Sequence, residues 1–586
     1  MRSVDTRSYP RRSLSAALLV ALFVSVPVPL VAAHGGLFRG PTGQTVPRAT
    51  PPPGTGGQPG GLQTNQPAVR ALPGSGPQIP FSEERWEFWW EYNNDRFVNL
   101  RQALRTVGQA GQGQSNRPFQ PPKTQEKRDT IVPFLINRML RDKDDQVRSA
   151  AAFTLAQLGE SMAIPFVEHL ALQDVSLGVR ANSVVALGIS QSPRAIETLQ
   201  EILADTSAPT ELRSFAAISL GLIGSSKCSG ILKEWLDPKR LPGVDYQLRL
   251  ALAYAIGLTH DLDNAPLVRE LLVSNEIQDY VLRSLLVQAL GQLGDRAANA
   301  LLVSELANNE TQARRSAVLA LANVAGPADK DVIEGLLRVA RSDNDSQTRN
   351  FAYIALGRIA SGGQAEIEKF LLEELDGATH LRRAFVALAL GLVGNRENVP
   401  ALLRTFAATK EPSLRSALAL ALGLLRDTRA IPAVRKTYLA AEEPVLASYL
   451  ALALGLLGDL EAAPRMLATV KTETDVELLA RTVIALGLLG ERQVVDVLQE
   501  RYKESPDQLT RASLVYGLGL VGDRDVLEPL EGIAASAQES DLVRAFAVLG
   551  LGHVGALALT PVMAQITQDV NYTLGVTFIS ELWNLL

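Results

Sequence analysis

A pattern of about 33 residues recurs thirteen times between residues 148 and 555, and its most regular feature is a large apolar residue between two small ones. Counted from an anchor position that is usually Arg, the seventh residue is Leu in twelve copies and Ile256 in the other. Positions six and eight are Ala, Gly, Ser or Thr in every copy. This spacing predicts a helix whose neighbours' backbones approach closely on both sides. The anchors are Arg148, Arg180, Arg213, Arg249, Arg283, Arg314, Arg349, Arg383, Arg415, Ala447, Leu479, Arg511 and Arg544.

A second, less regular helical segment precedes each anchor, with Pro in its first turn in several copies, as at Pro165 and Pro432. Gly at position eleven predicts a left-handed helix C-cap in eight copies. Each copy is therefore a helix, a turn, a helix and a cap. A period of this length indicates an all-α solenoid, in which one hairpin of helices cannot bury its apolar face alone. The eight glycines are Gly159, Gly224, Gly294, Gly394, Gly458, Gly490, Gly522 and Gly555.

The acidic turn before the anchor, as in Asp144 and Asp145 before Arg148, and the Ala-Leu-Gly core resemble the HEAT repeat. The resemblance is to the bacterial HEAT-like repeats of phycobilisome lyases and covers roughly residues 128 to 586. It implies an armadillo-type α-solenoid, which we expect to form an elongated superhelical arc of repeats over residues 128–555. The resemblance specifies a fold more than a function, because such repeats serve binding scaffolds more often than active sites.

The charge of the chain limits the kinds of partner it can bind, and its cysteine content limits how it can be stabilised. The chain has 57 basic and 62 acidic residues and a net charge of −5, which argues against a broad nucleic-acid-binding face. Cys228 is the sole cysteine, so no internal disulfide can form. Stability must therefore come from packing.

The first 80 residues differ from the repeats. Residues 1–33 combine four Arg with an apolar run from Leu14 to Val26 and small residues before position 33, which predicts a signal peptide and export to the periplasm, cell envelope or outside. An uncleaved membrane anchor is the alternative. Residues 34–80 contain 11 Gly, 10 Pro and no acidic residue, which predicts a disordered linker.

Residues 81–105 hold three of the five tryptophans, Trp86, Trp89 and Trp90, on an amphipathic helical pattern. We favour a cap over the apolar end of the first repeat and keep partner binding by the indoles as the alternative. Residues 106–127 are predicted to form a second flexible link. Residues 556–586, which include Trp583 and Leu586, are predicted to form a C-terminal cap, with an exposed docking site as the alternative.

No arrangement of residues indicates catalysis. The stretches from Gly517 to Gly522 and from Gly550 to Gly555 match the dinucleotide fingerprint in letters, but they lie inside predicted helices instead of between a strand and a helix. The five His are scattered and form no His-x-x-x-His pair. Deoxyhypusine hydroxylases, which also have HEAT-like repeats, bind two irons through His-Glu dipeptides, and this sequence has none. We therefore expect no catalytic residue, no cofactor and no metal.

The anchor arginines form the most prominent polar series. We expect them to bind the turn carboxylates and carbonyls of their own or the adjacent repeat, with an anion-binding stripe as the alternative. Aromatic residues at position two are predicted to pack between helices, and some of them to line the concave face. They are Phe215, Phe351, Phe385, Tyr449 and Phe546.

These features together predict an exported, non-catalytic scaffold whose long curved surface binds protein partners, or an extended polymer, at the cell envelope. Two alternatives remain open. One is an enzyme or enzyme accessory of the phycobilin-lyase-like group that holds a small ligand. The other is a membrane-tethered structural spacer.

Overall fold

A computed structural model describes residues 85–98, 100, 119–274, 277, 279–361, 364–377, 379–556, 566 and 569. Over these residues the regular secondary structure is entirely helical, so the prediction of an all-α solenoid is confirmed. None of the helices in the described ranges combines the length and the hydropathy needed to cross a bilayer. The predicted signal peptide, the 34–80 linker, and Trp583 and Leu586 of the predicted C-terminal cap lie outside the described residues.

The fold consists of an N-terminal helical segment followed by thirteen units, each made of two helices. Helix α1 spans Trp86–Asn93, and α2 spans Thr124–Glu126. A π-helical turn, Lys127–Ile131, joins α2 to the first unit. The first helix of each unit is odd-numbered: α3 Val132–Asn137, α5 Ile164–Gln173, α7 Ile196–Ala204, α9 Ser226–Trp235, α11 Ala265–Val273, α13 Asn299–Glu305, α15 Lys330–Ser342, α17 Ala365–Gly377, α19 Val399–Ala408, α21 Ile431–Leu439, α23 Ala463–Thr472, α25 Gln493–Glu504 and α27 Leu527–Ala535.

The second helix of each unit carries the anchor and is even-numbered. These helices are α4 Asp145–Leu158, α6 Leu177–Ile189, α8 Thr210–Ile223, α10 Tyr246–Leu258, α12 Tyr280–Leu293, α14 Thr311–Val324, α16 Ser346–Ala360, α18 His380–Val393, α20 Pro412–Leu425, α22 Pro444–Leu457, α24 Val476–Leu488, α26 Gln508–Val521 and α28 Asp541–Gly555. They are buried on nearly all sides, whereas the odd-numbered helices keep one face in solvent. The anchor helices therefore form an inner wall and the odd-numbered helices an outer layer.

The helix ends follow from local chemistry. Acidic N-cap side chains accept hydrogen bonds from the free backbone N–H groups of the first turn, as Asp144 does from Gln146 and Val147. Seven of the eight position-eleven glycines adopt the left-handed conformation that was predicted. Gly555 does not, because α28 continues through it. A Cβ at Gly555 would lie 2.3 Å from Leu158 Cδ2, so this glycine permits close packing instead of a turn.

The small residues at positions six and eight bring neighbouring anchor helices together, as predicted. A Cβ added to Gly188 would lie 2.6 Å from the Cα of Ser219, which is position six of the next unit. A Cβ added to Gly291 would lie 2.5 Å from the Cα of Ala320. Real Cβ atoms essentially never approach backbone this closely, so larger residues at position eight would push successive units apart.

The array closes on itself, because the last anchor helix, α28, packs against the first, α4. Three contacts repeat across this junction. Thr154 Oγ1 donates to the Val548 carbonyl at 2.9 Å, as Ser219 Oγ donates to the Val184 carbonyl at 2.9 Å between units two and three. Gly552 faces Thr154 as Gly188 faces Ser219.

The third contact is ionic. Arg544 of unit thirteen pairs with Asp142 of unit one, at the position where Arg148 pairs with Asp174 one unit further on. The last unit therefore contacts the first as any unit contacts its successor. This corrects the expectation of an elongated arc, since the thirteen units form a closed ring. Thirteen helices spaced by 8–10 Å give an inner wall with an axis-to-axis diameter of about 35–40 Å.

The N-terminal helix occupies a different place from the one predicted. We expected it to cover the end of the first repeat, but α28 already covers that end. Helix α1 instead contacts the anchor helices of units nine to eleven, through Ser413, Tyr449 and Arg481. A closed ring has no exposed apolar end that needs a cap. The apolar surface of α1 is buried in the ring interior instead.

Candidate functional site: the ring interior

The described residues of the N-terminal segment contact the ring at both of its rims. Near Arg85 the indole Nε1 of Trp86 donates to Ser413 Oγ at 2.9 Å, at the rim where the anchor helices begin. Further down, Leu100 lies against Gly487. At the rim where anchor helices end, the Gln120 amide donates to Asp523 Oδ2 at 3.2 Å, and the Gln120 carbonyl accepts from the Arg524 amide at 2.6 Å. Arg85 and Trp86 therefore lie at the rim where the anchor helices begin, and Gln120 lies at the opposite rim.

The three tryptophans of α1 are fully enclosed. Trp86, Trp89 and Trp90 are 0%, 2% and 1% exposed. The Trp86 ring lies 4.7 Å from that of Tyr449 between centroids, and Trp90 stacks on Phe97 at 5.8 Å. In this arrangement the indoles present no surface to an outside molecule. Partner binding by them stays a prediction, and it would require α1 to leave the interior.

A buried ionic network holds α1 to the wall. Arg481 Nη2 donates to Glu91 Oε1 at 2.8 Å and to the Tyr449 hydroxyl oxygen at 3.2 Å. Arg481 Nη1 donates to Ser448 Oγ at 2.8 Å and to Glu477 Oε2 at 3.1 Å. The Tyr449 hydroxyl donates to Glu91 Oε1 at 3.0 Å, and the guanidinium carbon lies 4.2 Å from the Tyr449 ring centroid. The network therefore joins α1 to two successive units.

Burial and charge shape the protonation states of this network. Burial raises the pKa of Tyr449 well above its ordinary value, so its hydroxyl keeps its proton as a donor. Burial opposes the charge of Arg481, but the Tyr449 hydroxyl and the carboxylates of Glu91 and Glu477 outweigh it and raise the guanidinium pKa. Arg481 is therefore a permanent buried cation whose charge requires nearby anions.

A second ionic contact lies elsewhere in the interior. Arg358 Nη1 donates to both Asp569 carboxylate oxygens, at 2.9 and 2.8 Å. The Asp569 amide donates to Asn93 Oδ1 at 3.1 Å, which joins the residue to the end of α1. On another side of the ring, the buried Tyr254 hydroxyl donates to the Ile566 carbonyl. Described residues from both ends of the chain therefore lie in the interior, where Asn93 and Asp569 contact each other.

One wall junction differs from the rest. At Gly487 of α24, a Cβ would meet Leu100 Cδ1 at 2.8 Å instead of position six of the next unit. The neighbouring helices α24 and α26 accordingly contact each other less than other consecutive anchor helices do. Leu100 thus takes the place of a wall contact between units eleven and twelve.

Within the described residues, nine of the eleven anchor arginines bind carboxylates or carbonyls at the acidic rim, and the other two, Arg249 and Arg415, lie over the rings of Tyr246 and Phe406. Arg314 donates through Nε and Nη2 to Asp343 of the next unit at 2.8 and 3.0 Å, and through Nη1 to the Asn308 carbonyl of its own unit at 3.0 Å. Arg283 pairs with Glu305, and Arg511 with Glu539, in the same way. The position-two aromatic residues are 0–3% exposed, and Tyr449 contacts α1.

The sequence analysis did not predict the contacts in the ring interior, although the sequence contains a signal for them. Position two is apolar, small or polar but uncharged in the other twelve units and Arg481 in unit eleven. Position nine is uncharged in the other units, apart from the titratable His553, and Arg358 in unit seven. Each of these two cations pairs with an acidic residue outside the array, Glu91 or Asp569. A charge that breaks the repeat pattern at an inward position thus marks a contact from another segment.

The candidate chemical groups named in the sequence analysis can be located in the structure. Among the described residues, no three His, Cys, Asp or Glu side chains are grouped so that they could hold a metal ion. Cys228 is buried and unpaired by any disulfide. The two glycine-rich stretches lie within helices α26 and α28, where Gly519 packs against Gly550. The ring interior can therefore hold a polypeptide segment by packing and charge.

Comparison with known proteins agrees with this architecture. Residues 132–221, 368–455 and 436–518 match the HEAT repeat family. The chain contains HEAT repeats. Deoxyhypusine hydroxylase from Drosophila pseudoobscura pseudoobscura is 32% identical over 130 residues, which cover 22% of this HEAT-repeat protein and 41% of the hydroxylase. The match therefore spans about two fifths of that relative's length.

The similarities to solved structures are weaker. The complex of CpcE and CpcF of phycocyanin lyase from Nostoc sp. PCC7120 is 18% identical to this HEAT-repeat protein, with a TM-score of 0.28, covering 51% of this chain and 94% of that one. Importin beta is 15% identical, with a TM-score of 0.38, covering 73% of this chain and 72% of that one.

Proposed function

We propose that this HEAT-repeat protein is a non-catalytic scaffold that binds protein partners at the cell envelope. The observation that supports binding outside the ring is the occupied interior, where α1 and residues 566 and 569 lie against the anchor helices. While these segments occupy the interior of the closed ring, the outer layer and the two rims are the surfaces exposed to partners. The predicted signal peptide supports the location.

One part of the outer layer is suited to protein contact. Around α5, five large apolar side chains are exposed, and we call them the unit-two patch: Met162, Phe166, Leu172, Val175 and Leu177. Val175 is 99% exposed and Met162 54%. All five lie within sixteen consecutive residues of the chain, and several exposed apolar residues in one region suit an interaction surface better than a single one does. Leu439, which is 56% exposed on α21, is such a single residue.

Hydroxylase activity forms no part of the proposal. The match to deoxyhypusine hydroxylase covers 22% of this chain, and the sequence lacks the His-Glu dipeptides through which that family's irons are bound. A lyase-like role would need a bound small ligand. Co-purification of an absorbing or mass-detectable small molecule with the protein would favour this second role over the scaffold.

The test is co-purification of the full-length protein from the native envelope fraction. We expect the wild type to retain a specific partner and the Phe166→Ser/Val175→Ser variant to lose it. The Leu439→Ser variant removes a similar apolar surface elsewhere, so it should retain the partner. Equal recovery with all three proteins would rule out the unit-two patch, and recovery of no envelope protein at all would contradict the scaffold. Sequencing the N-terminus of the mature protein tests export, with a start near His34 as the expected result.

A further inference from the structure

The inner wall of units nine to eleven recognises α1 through a small set of side chains, which we call the α1 site. It consists of Ser413, Tyr449, Arg481 and the notch at Gly487 that receives Leu100. Ser413 accepts from the Trp86 indole and donates to Glu87 Oε1 at 2.6 Å. The contacts combine apolar packing with directional bonds, as peptide-recognition grooves do.

The α1 site defines the chemistry of its ligand. It takes an amphipathic helix with an indole opposite Ser413 and Tyr449, and with a carboxylate that can reach Arg481, which has 3% of its side chain exposed. A guanidinium this deeply buried discriminates strongly by charge, because a neutral or cationic group in place of Glu91 would leave the half-exposed Glu477 as its one anionic partner among the described residues. The site therefore selects acidic, tryptophan-containing helices.

Two features make α1 replaceable. Arg481 keeps hydrogen bonds to Ser448, Tyr449 and Glu477 of the wall when Glu91 is removed, so its charge stays partly compensated. The Trp89 indole N–H is buried and finds no hydrogen-bond acceptor among the described residues, which weakens the hold on α1. Helix α1 is also a separate segment, joined to the ring through the 18 residues between Leu100 and Phe119.

We infer that the α1 site binds a helix of a partner protein with this chemistry, in exchange for α1. In the resting ring α1 occupies the site as an internal ligand, and a partner helix must displace it. This inference goes beyond the outer-face scaffold, since it assigns a second, interior surface and a class of partner. Its test uses no patch residue, so the two proposals fail independently.

The probe is a fluorescein-labelled synthetic peptide of residues 85–98, added to the full-length protein and followed by fluorescence anisotropy. Wild type should bind it weakly, because α1 competes at high effective concentration. The Glu91→Lys variant places a cation beside Arg481 and should expel its own α1, which we expect to raise peptide affinity at least tenfold. The Glu197→Lys variant makes the same charge change on the outer surface, where the side chain is 82% exposed, and should behave like wild type.

The charge-reversed variant Glu91→Lys/Arg481→Glu decides the mechanism. It restores an internal ion pair and repels the acidic peptide, so the tenfold gain should disappear. Circular dichroism must show each variant to be as helical as wild type. Should Glu91→Lys fail to fold, Leu100→Ala loosens α1 at the Gly487 notch without adding charge and should also raise peptide affinity. Folded variants that bind the peptide no better than wild type would overturn the inference, as would equal gains in the single and the charge-reversed variant.

Discussion

Closure of the ring can be tested by comparing one ionic contact at the closing junction with its equivalent inside the array. Asp142 pairs with Arg544 across the closure, and Asp343 pairs with Arg314 between units six and seven. Both carboxylates also accept the backbone amide two residues on, at 3.0 and 2.8 Å. The aspartate side chains are 11% and 7% exposed, so the two sites are closely matched.

The expected magnitude follows from these contacts. A hydrogen bond to a charged group contributes about 1.5–3 kcal/mol, and removing one partner of a mostly buried ion pair costs about 3–5 kcal/mol. Allowing for the remaining exposure, Asp142→Ala and Asp343→Ala should each lower the free energy of unfolding by about 2–4 kcal/mol. In double-mutant cycles with Arg544→Ala and Arg314→Ala, both pairs should show coupling energies of about 1–3 kcal/mol.

Urea unfolding followed by far-UV circular dichroism gives these energies, and amide hydrogen exchange shows where they act. In an open array the terminal helices would fray, whereas in a closed ring α4 and α28 should be protected as strongly as α14. An Asp142–Arg544 coupling below about 0.5 kcal/mol, beside an intact Asp343–Arg314 coupling, would refute closure. The wall would then be an arc whose ends touch without holding each other.

Three further predictions concern the units themselves. Leu290 is 0% exposed, so Leu290→Ala should cost about 2–5 kcal/mol in urea unfolding, and a loss well below 1 kcal/mol would contradict its burial. Gly391→Leu should be at least as destabilising, because a Cβ at this position would already lie 3.0 Å from the Ala421 Cα. As a control, Gly532→Ala should leave the melting temperature unchanged or raised, because there is open space around Gly532. Burial raises the pKa of Asp345, but hydrogen bonds from Arg315 and Thr348 outweigh it and lower the pKa to about 2. Its stabilisation, about 2 kcal/mol, is present above pH 4 and should be lost as pH falls from about 4 to 2, and Asp345→Asn should remove that part of the pH dependence in acid titrations of stability.

The repeat, its register and its close contacts could be predicted from the sequence, because they depend on short-range sterics. A leucine between two small residues constrains the packing of each helix on the next, and the structure places Leu290 and Gly291 as that rule requires. Glycine at position eleven ends a helix in seven units for the same local reason.

Closure could not be predicted in this way, since it depends on a quantity that accumulates over the whole array. Thirteen units close when each turns by about 28°, and an error of a few degrees per unit gives an open superhelix instead. No single residue encodes that angle. The sequence did contain one trace of closure at Gly555, which lies where Leu158 of the first unit packs. A helix C-cap explains a glycine at that position equally well, so the sequence alone does not distinguish a cap from a contact with the first unit.

The tryptophan-rich segment follows from closure. An inner wall about 35–40 Å across, made of helices about 10 Å thick, encloses a space some 25–30 Å wide, which the side chains of the wall cannot fill. Inward residues such as Phe385 and Tyr449 would face water unless another segment covered them. Large, rigid indoles bury the most area for the least loss of conformational entropy, so a helix with three of them suits this interior. The cations Arg481 and Arg358 then fix where that helix and Asp569 lie, since a buried charge is stable only beside its counter-ion. On this reasoning, α1 completes the core of the ring, and a partner helix that displaces it must bury a comparable surface.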